Sequence, residues 1–497
     1  MFLVFLPEIS KTNKMKNRLL ILFCLFLAAM SCKTPAPGPT KGQQAMIDRK
    51  YGMFLHFGMN TYLDKEWSTG MDSASCFNPP ADLPEKIEQW AAIAKEAGMR
   101  SIVLPVKHHD GFCLWDSKYT DYTIAHPSIS HPTDVIKNLS EACRKHGLTF
   151  SIYYSLWDRH EPTYKAKDPK LYITYMKNQL GELMTHYGPI GELWLDGVWD
   201  RKNEDWHLQE IYDYVKSLQP DCQISTNWTL NKKPVDMQTG DSIIYFPADF
   251  RLWDPYLPLE NDPKIYTHSS KQYYLPFECT QTISVLGNWF YHDNDTLFRD
   301  IEDLEEIFYR ATRNDNCLLL NIPPDKNGNF HPTAIERILE LADKMDIRHG
   351  KPFPEHPRKP STSKPLRQVS VSSIYKNDTL HYGAYCLTDG DVSTSWKCND
   401  VRGWFMLDFG QKQTFRQVQI IEQAHHIKDY TLAILKEETG NWETIHSAHS
   451  LSDTTLSSFM GYGYGEINLD LPVEARKIKF TILSARDKPA IFSVRIK

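Results

Sequence analysis

The chain has 497 residues, more than one hydrophobic core normally serves, so two folded domains are expected. Its formal net charge is −6 with no basic block, which argues against nucleic acid as a partner. Aromatic residues make up 12 %, a share that suits sugar-stacking surfaces and equally suits large cores.

Met15-Lys-Asn-Arg opens a positive segment, and Leu19 to Ala29 is an apolar run too short to span a bilayer. Together they predict an export leader over residues 1–32, with the true start at Met15. Ala29-Met-Ser-Cys32 resembles a bacterial lipobox, which implies a lipid on Cys32, a membrane tether, and a place in the periplasm or on the outer membrane of a bacterium. A signal-peptidase cut near Ala29 implies export without the lipid. Residues 33–44, with their Pro, Gly and Lys, predict a flexible tether. The later cysteines are scattered without a CxxC pair, so neither a zinc site nor a disulfide framework is expected.

From Arg49 onward strands and helices alternate. Strands are predicted at Gly52–Gly58, Arg100–Val106, Leu148–Ser155, Ile190–Asp196, Cys222–Thr226 and Cys317–Ile322, with a sixth near Ile243–Phe246 and a seventh at Tyr273–Phe277. Helices are predicted at Leu83–Ala97, Asp134–His146, Leu171–His186, Asp205–Leu218 and within Asp300–Thr312. Right-handed βαβ units at this spacing predict a (β/α)₈ TIM-like barrel over 45–350. Residues 351–365 carry Pro352, Pro354, Pro357 and Pro360 among basic and hydroxyl residues and predict a stiff, exposed linker to a loosely coupled module. Beyond it the hydrophobic period falls to two, as in Val418-Gln-Ile-Ile and Ile478-Lys-Phe-Thr-Ile, so 366–497 reads as a β-sandwich.

Gly191-Glu-Leu-Trp-Leu-Asp-Gly197 is an apolar strand ending in a carboxylate. In parallel α/β folds ligands bind at the C-terminal strand ends, so Asp196 reads either as a catalytic group on the barrel rim or as a cap on the turn at Gly197. His56, Lys107-His-His-Asp-Gly-Phe112, Tyr154 and Trp194 also end strands, and their recurrence at one rim favours a pocket for a hydroxyl-rich ligand over isolated core roles. His108 and His109 are adjacent on an extended segment and point to opposite sides, which argues against joint chelation of a metal.

Five ordered stretches, Phe54-Leu-His56-Phe-Gly, Glu66-Trp67, Lys107-His-His-Asp-Gly-Phe112, Trp194-Leu-Asp196-Gly and Phe277-Glu-Cys-Thr-Gln-Thr-Ile283 followed by Asn288-Trp-Phe-Tyr, resemble the α-L-fucosidases of glycoside hydrolase family 29. The resemblance covers the whole barrel and implies removal of terminal α-L-fucose from glycans with retention, without a cofactor. By it, Asp196 is the nucleophile. His56, Glu66, Trp67, His108, His109 and Tyr154 bind sugar hydroxyls, Trp194 packs beside the ring, and Phe54 and Trp289 enclose the C5 methyl group. The imidazoles are expected to help keep Asp196 ionised.

Such a mechanism needs a second, protonated carboxyl roughly 5–5.5 Å from the nucleophile. Glu278 and Asp249 are the two candidates; the longer side chain and apolar neighbours of Glu278 favour it, while Arg251 offers Asp249 an ion pair. Ser225-Thr-Asn227-Trp departs from the Asn-Asp-Arg-Trp-like segment of many relatives. A hydrolase of a related sugar such as an α-L-galactoside, or a glycan-binding protein without turnover, remains an alternative.

Leu387-Thr-Asp389-Gly-Asp391-Val-Ser-Thr394-Ser-Trp396, Trp404-Phe-Met-Leu-Asp-Phe-Gly410 and Ile491-Phe-Ser-Val resemble discoidin-like family 32 carbohydrate-binding modules, with a jelly-roll, galactose-binding-like fold. That resemblance implies a calcium site at Asp389, Asp391 and Thr394, but Ser493 stands where a glutamate often closes it, so a loop that is no more than a capped turn is the alternative.

Overall fold

The computed structural model describes residues 36–354, 368–456, 458 and 460–497; the leader with Cys32 and most of the linker lie outside the described residues. The chain first forms helix α1 (Lys41–Arg49), strand β1 (Tyr51–Phe54), a short helix α2 (Met59–Leu63), α3 (Leu83–Glu96) and β2 (Ser101–Lys107). It continues through α4 (Val135–His146), β3 (Thr149–Ser155), α5 (Pro169–His186), β4 (Glu192–Asp196), α6 (Leu208–Leu218), β5 (Gln223–Thr226) and β6 (Arg251–Leu252). A hairpin, β7 (Ile265–His268) and β8 (Lys271–Tyr274), precedes β9 (Phe277–Thr282), α7 (Ile301–Thr312), β10 (Cys317–Asn321) and α8 (Pro332–Lys344). Local chemistry sets the boundaries. At α4, for example, Asp134 caps the Lys137 amide at 2.8 Å, three basic residues fill the last turn, and Gly147 ends the helix in the left-handed region.

Eight parallel strands line up as β5-β4-β3-β2-β1-β10-β9-β6. Between the outermost two, β5 and β6, the seam is closed by Asp249: its amide donates to Ile224 O at 2.8 Å, and its Oδ2 accepts from Ile224 N at 2.9 Å. Two expected strands move. The sixth is Arg251–Leu252, not Ile243–Phe246, and the seventh begins at Phe277, while Tyr273 belongs to the hairpin. The tether also ends sooner than expected. Thr40 and Gln43 form a capping box that starts α1, and Gln43 plugs the barrel floor by donating to Asp249 O and Tyr274 O at 2.6 and 2.7 Å.

Side chains alternate along a strand, so each strand sends every second residue inward at a different height. Near the N-terminal ends Glu192 and Glu278 meet Arg49 of α1. Phe54, Trp194, Phe250, Leu252 and Leu319 share one buried apolar cluster in the middle. At the C-terminal ends lie His56, Asp196, Asn227, Asp254 and Asn321.

The C-terminal domain is antiparallel: β11 (Gln368–Val371), a single-turn helix α9 (Thr379–Tyr382), β12 (Trp396–Lys397), β13 (Gly403–Gln423), β14 (Ile427–Lys436), β15 (Asn441–His449), β16 (Tyr462–Ala485) and β17 (Ala490–Ile496). β13 and β16 pair along most of their length, with register shifts between Asp408 and Gln413 and between Phe415 and Gln417. Trp396, Phe405, Leu432 and Phe480 are buried in their own core.

This domain is not loosely coupled. Val285 and Leu286 of the loop after β9 are buried in one cluster with Val392, Ile421, Tyr462 and Tyr464. Ser458 Oγ donates to Leu286 O and Asn294 Nδ2 donates to Thr455 O, both at 2.7 Å, and Arg495 pairs with Asp303. Linker composition carries no information about the apolar faces on either side of it, which is why the expectation failed.

Candidate active site

Asp196 ends β4 and is 5 % exposed. Its Oδ2 accepts from the Tyr153 hydroxyl at 2.7 Å and its Oδ1 from Asn227 Nδ2 at 3.0 Å. The same Asn227 nitrogen donates to Asp254 Oδ1. Asp254 follows β6 and lines the same pocket as Asp196. Burial, then the charge of Asp254, push the Asp196 carboxyl up to about 7; burial also raises Asp254.

Three imidazoles face this pair. Burial pushes His56 and His109 down to about 3, and His108 well below its ordinary value. They are neutral, so the expected positive support for Asp196 is absent and hydroxyl and amide donors supply it instead. Their partners set the tautomers. His56 Nδ1 donates to Asn321 Oδ1 at 2.7 Å, and His109 Nδ1 donates to Ser155 Oγ at 2.7 Å, whose own hydroxyl is spent on Trp157 O. Both therefore offer Nε2 as an acceptor. Asn60 is oriented by accepting from Ser68 N, so its Nδ2 donates to His108 Nδ1 at 3.2 Å and leaves His108 Nε2–H as a donor.

The pocket wall comes from Phe54, Trp194, Trp289 and Trp67, with Glu66 and Trp199. Glu66 Oε1 accepts from the Trp289 and Phe290 amides at 2.9 and 3.0 Å, so one carboxylate both borders the pocket and fixes the loop that carries its aromatic wall. Asn321 Nδ2 holds the same loop through Trp289 O at 2.8 Å.

Nine of the expected residues, Phe54, His56, Glu66, Trp67, His108, His109, Trp194, Asp196 and Trp289, line this one pocket. Tyr154 does not. It points outward to Lys107 and Gln179, and the inward residue is its neighbour Tyr153. Glu278 is buried at the barrel floor, one inward layer below Thr280, and accepts from Trp194 Nε1 at 2.6 Å; its carboxyl is raised, as expected, but burial beside Glu192 rather than a catalytic setting is the cause. Asp249 faces out to Tyr212 and Lys216 at 2.9 and 2.8 Å, while Arg251 pairs with Asp262. Tyr153, Asn227, Trp199 and Asp254 were missed. A period-two count from Phe250 through Leu252 turns Asp254 inward, and that signal was hidden by misplacing the sixth strand.

In the C-terminal domain Asp389 Oδ2 accepts from Thr394 Oγ1 at 2.7 Å and Asp391 Oδ1 from Ser393 N at 3.0 Å, while Arg310 approaches Asp391 Oδ2 at 3.5 Å. Calcium takes roughly six to eight oxygens. A loop whose carboxylates accept from its own backbone and hydroxyls and face a guanidinium does not fit that demand.

The alpha-L-fucosidase family model matches residues 39–349 and the F5/8 type C domain model matches residues 368–495. The chain is 28 % identical to alpha-L-fucosidase 1 of Arabidopsis thaliana, over 92 % of this chain and 86 % of that protein. It is 27 % identical to a putative alpha-L-fucosidase 1 of Oryza sativa, over 92 % and 84 %. The crystal structure of a putative alpha-L-fucosidase from Bacteroides thetaiotaomicron superposes with a TM-score of 0.51 at 25 % identity, over 93 % of this chain and 98 % of that one. Curated relatives come from plants, an amoeba and animals, which overturns the placement as a periplasmic or outer-membrane lipoprotein of a bacterium. A short apolar run before Cys32 is a compositional signal that specifies neither organism nor compartment. By the match over its barrel, with the inward carboxylate at Asp196, this chain belongs to the alpha-L-fucosidase family of glycoside hydrolases.

Proposed function

We propose that the protein is a retaining exo-α-L-fucosidase in which Asp196 is the nucleophile and Asp254 the acid/base. The observation that carries this reading is the shared amide of Asn227. One NH₂ group in contact with both carboxylates keeps them close to the roughly 5–5.5 Å separation of retaining enzymes and well short of the roughly 6.5–9.5 Å of inverting ones. A second carboxyl beside Asp196 also favours turnover over mere glycan binding.

Two buried carboxyl groups this close cannot both ionise cheaply, so near neutral pH they share about one proton. Asp196 accepts from Tyr153, Asn227 and the Gly197 amide, whereas Asp254 accepts from Asn227 and its own amide. This asymmetry favours charge on Asp196 and the proton on Asp254 when fucose enters. Asp196 attacks the anomeric carbon as Asp254 gives its proton to the glycosidic oxygen and that C–O bond breaks. Asp254 then takes a proton from water, whose oxygen attacks the same carbon, releasing α-fucose and restoring the Asp196 carboxylate. His56 and His109 accept from sugar hydroxyls, His108 donates to one, and Phe54 and Trp289 face the C5 methyl group.

Turnover of an aryl α-L-fucoside followed by NMR tests the reading, with the α-anomer of fucose appearing first. Asp196→Ala should abolish turnover. Asp254→Ala should lose roughly 10²–10⁴-fold on natural fucosyl oligosaccharides, keep the first step on a fucoside with an acidic phenol, and be rescued by azide as fucosyl azide. First-formed β-fucose, or near-wild-type oligosaccharide hydrolysis by Asp254→Ala, would overturn it.

A further inference from the structure

Asp254 stands where the barrel backbone gives least support. Strand β6 pairs with β9 through Arg251 and Leu252 only, so Asp254 lies two residues past the last paired position. The residue after it, Pro255, has no N–H with which to extend the ladder. Side chains of β9 take over. Cys279 Sγ donates to Tyr256 O at 3.4 Å, and Gln281 Nε2 donates to Pro255 O. Cys279 and Gln281 are both buried and two apart in the strand, so they meet the departing loop from one face, opposite to the inward Glu278 and Thr280.

The Gln281 amide is held in one orientation. Its Oε1 accepts from Arg299 Nη2 at 3.2 Å, and a guanidinium only donates, so the NH₂ end faces Pro255 O. Arg299 is itself buried and fixed by its Nε donating to Thr282 O at 2.7 Å. Its charge is met by Asp303 of α7, with which Arg495 of the C-terminal domain pairs. A preoriented donor therefore reaches the peptide beside Asp254, although Gln281 lies outside the pocket lining.

We propose that Gln281 is a positioning residue for proton transfer: through the Pro255 carbonyl it sets the height of Asp254 at the rim, where the carboxyl meets the glycosidic oxygen. The inference rests on the reading of Asp254 as the acid/base. A glutamate of the same length would still accept from Arg299 but would set an oxygen against the Pro255 carbonyl, so the two roles together require a group that accepts at one end and donates at the other. Displacing a reacting group by about 1 Å costs up to about 10²-fold. Protonation matters most when the leaving group is poor, so a misplaced Asp254 is felt in proportion to the basicity of that group.

The test measures kcat/KM, which reports the fucosylating step, on aryl α-L-fucosides of graded phenol acidity and on a fucosylated trisaccharide. Gln281→Glu keeps the length and the contact with Arg299, and Gln281→Met keeps the length alone. Each should stay within about threefold of wild type on the dinitrophenyl fucoside and fall about tenfold further on the trisaccharide, with a steeper dependence on phenol acidity between them. Asp254→Ala, run beside them, should show the same dependence in stronger form. A structural contact alone lowers all substrates alike, so a uniform loss, or none, would overturn the proposal. Failure of both Gln281 variants to fold would overturn it too, making Gln281 a brace of the barrel. A flat response of Asp254→Ala would instead refute the acid/base reading, and the positioning role would fall with it.

Discussion

Asn227 donates one side-chain NH₂ group to two carboxylates at once, Asp196 Oδ1 at 3.0 Å and Asp254 Oδ1. Removing it unties the pair from each other and from the rim of β5. Asn227→Ala should lower kcat on an aryl fucoside about 10²-fold, the scale seen when one preorganised donor is lost, and should move the pH profile, because each carboxylate loses a donor. A wild-type pH profile would show that Asn227 does not position the pair.

Protonation also couples this pair to stability. Burial, then the charge of Asp254, raise the Asp196 carboxyl to about 7 against 3.8 in the unfolded chain, and burial raises Asp254 as well, so the folded pair binds one extra proton between them. Its contribution is fully present below the unfolded value and is lost as pH rises through about 7. Asp196→Asn removes one of the two competing charges and should therefore be more stable than wild type at pH 8, by on the order of 4 kcal/mol, with the advantage vanishing toward pH 4. Thermal melts across this range provide the check; a constant difference at all pH values would contradict it.

Glu278 supports the pocket from below through Trp194. Held above the usual carboxylate range by burial, it should tolerate Glu278→Gln with activity within about threefold and no response to azide. Glu278→Ala leaves the Trp194 indole N–H without its acceptor and should cost about 1–3 kcal/mol in denaturant unfolding. Azide rescue of either variant would return Glu278 to the chemistry.

The C-terminal domain braces the loop that carries Trp289. Deleting residues 368–497 would expose Val285 and Leu286 on that loop. The truncated protein should be insoluble or lose most turnover of even a small aryl fucoside. A soluble, fully active barrel would show that the contact is dispensable.

Arg310 lies on α7 and reaches Asp389 O and Asp391 Oδ2 across the interface. Arg310→Ala should lower the melting temperature, because Asp391 is buried and loses its opposing charge. Chelation by EGTA should leave the wild-type melt in place. A large drop with EGTA would restore calcium to this loop.

The sequence by itself determined the architecture and the principal carboxylate. Apolar runs alternating with amphipathic helices specify a parallel barrel, and the run ending at Asp196 puts a charge at the rim whatever its neighbours do. His56, His108, His109 and Trp194 were legible for the same reason, as polar or aromatic groups ending strands. Which of two adjacent tyrosines enters the pocket was not, since Tyr153 and Tyr154 are chemically alike and only strand register separates them. Glu278 and Asp254 turned on height as well as facing. Pairing of Glu278 with Cys317 sets it at the floor, while a two-residue sixth strand carries Asp254 to the rim. Asp249, the less favoured of the two acid/base candidates in the sequence, closes the seam that makes the barrel possible. Only tertiary structure decided these placements, because a side chain's height in a barrel depends on the register of each strand against its neighbours, and that register is set by contacts far apart in the chain.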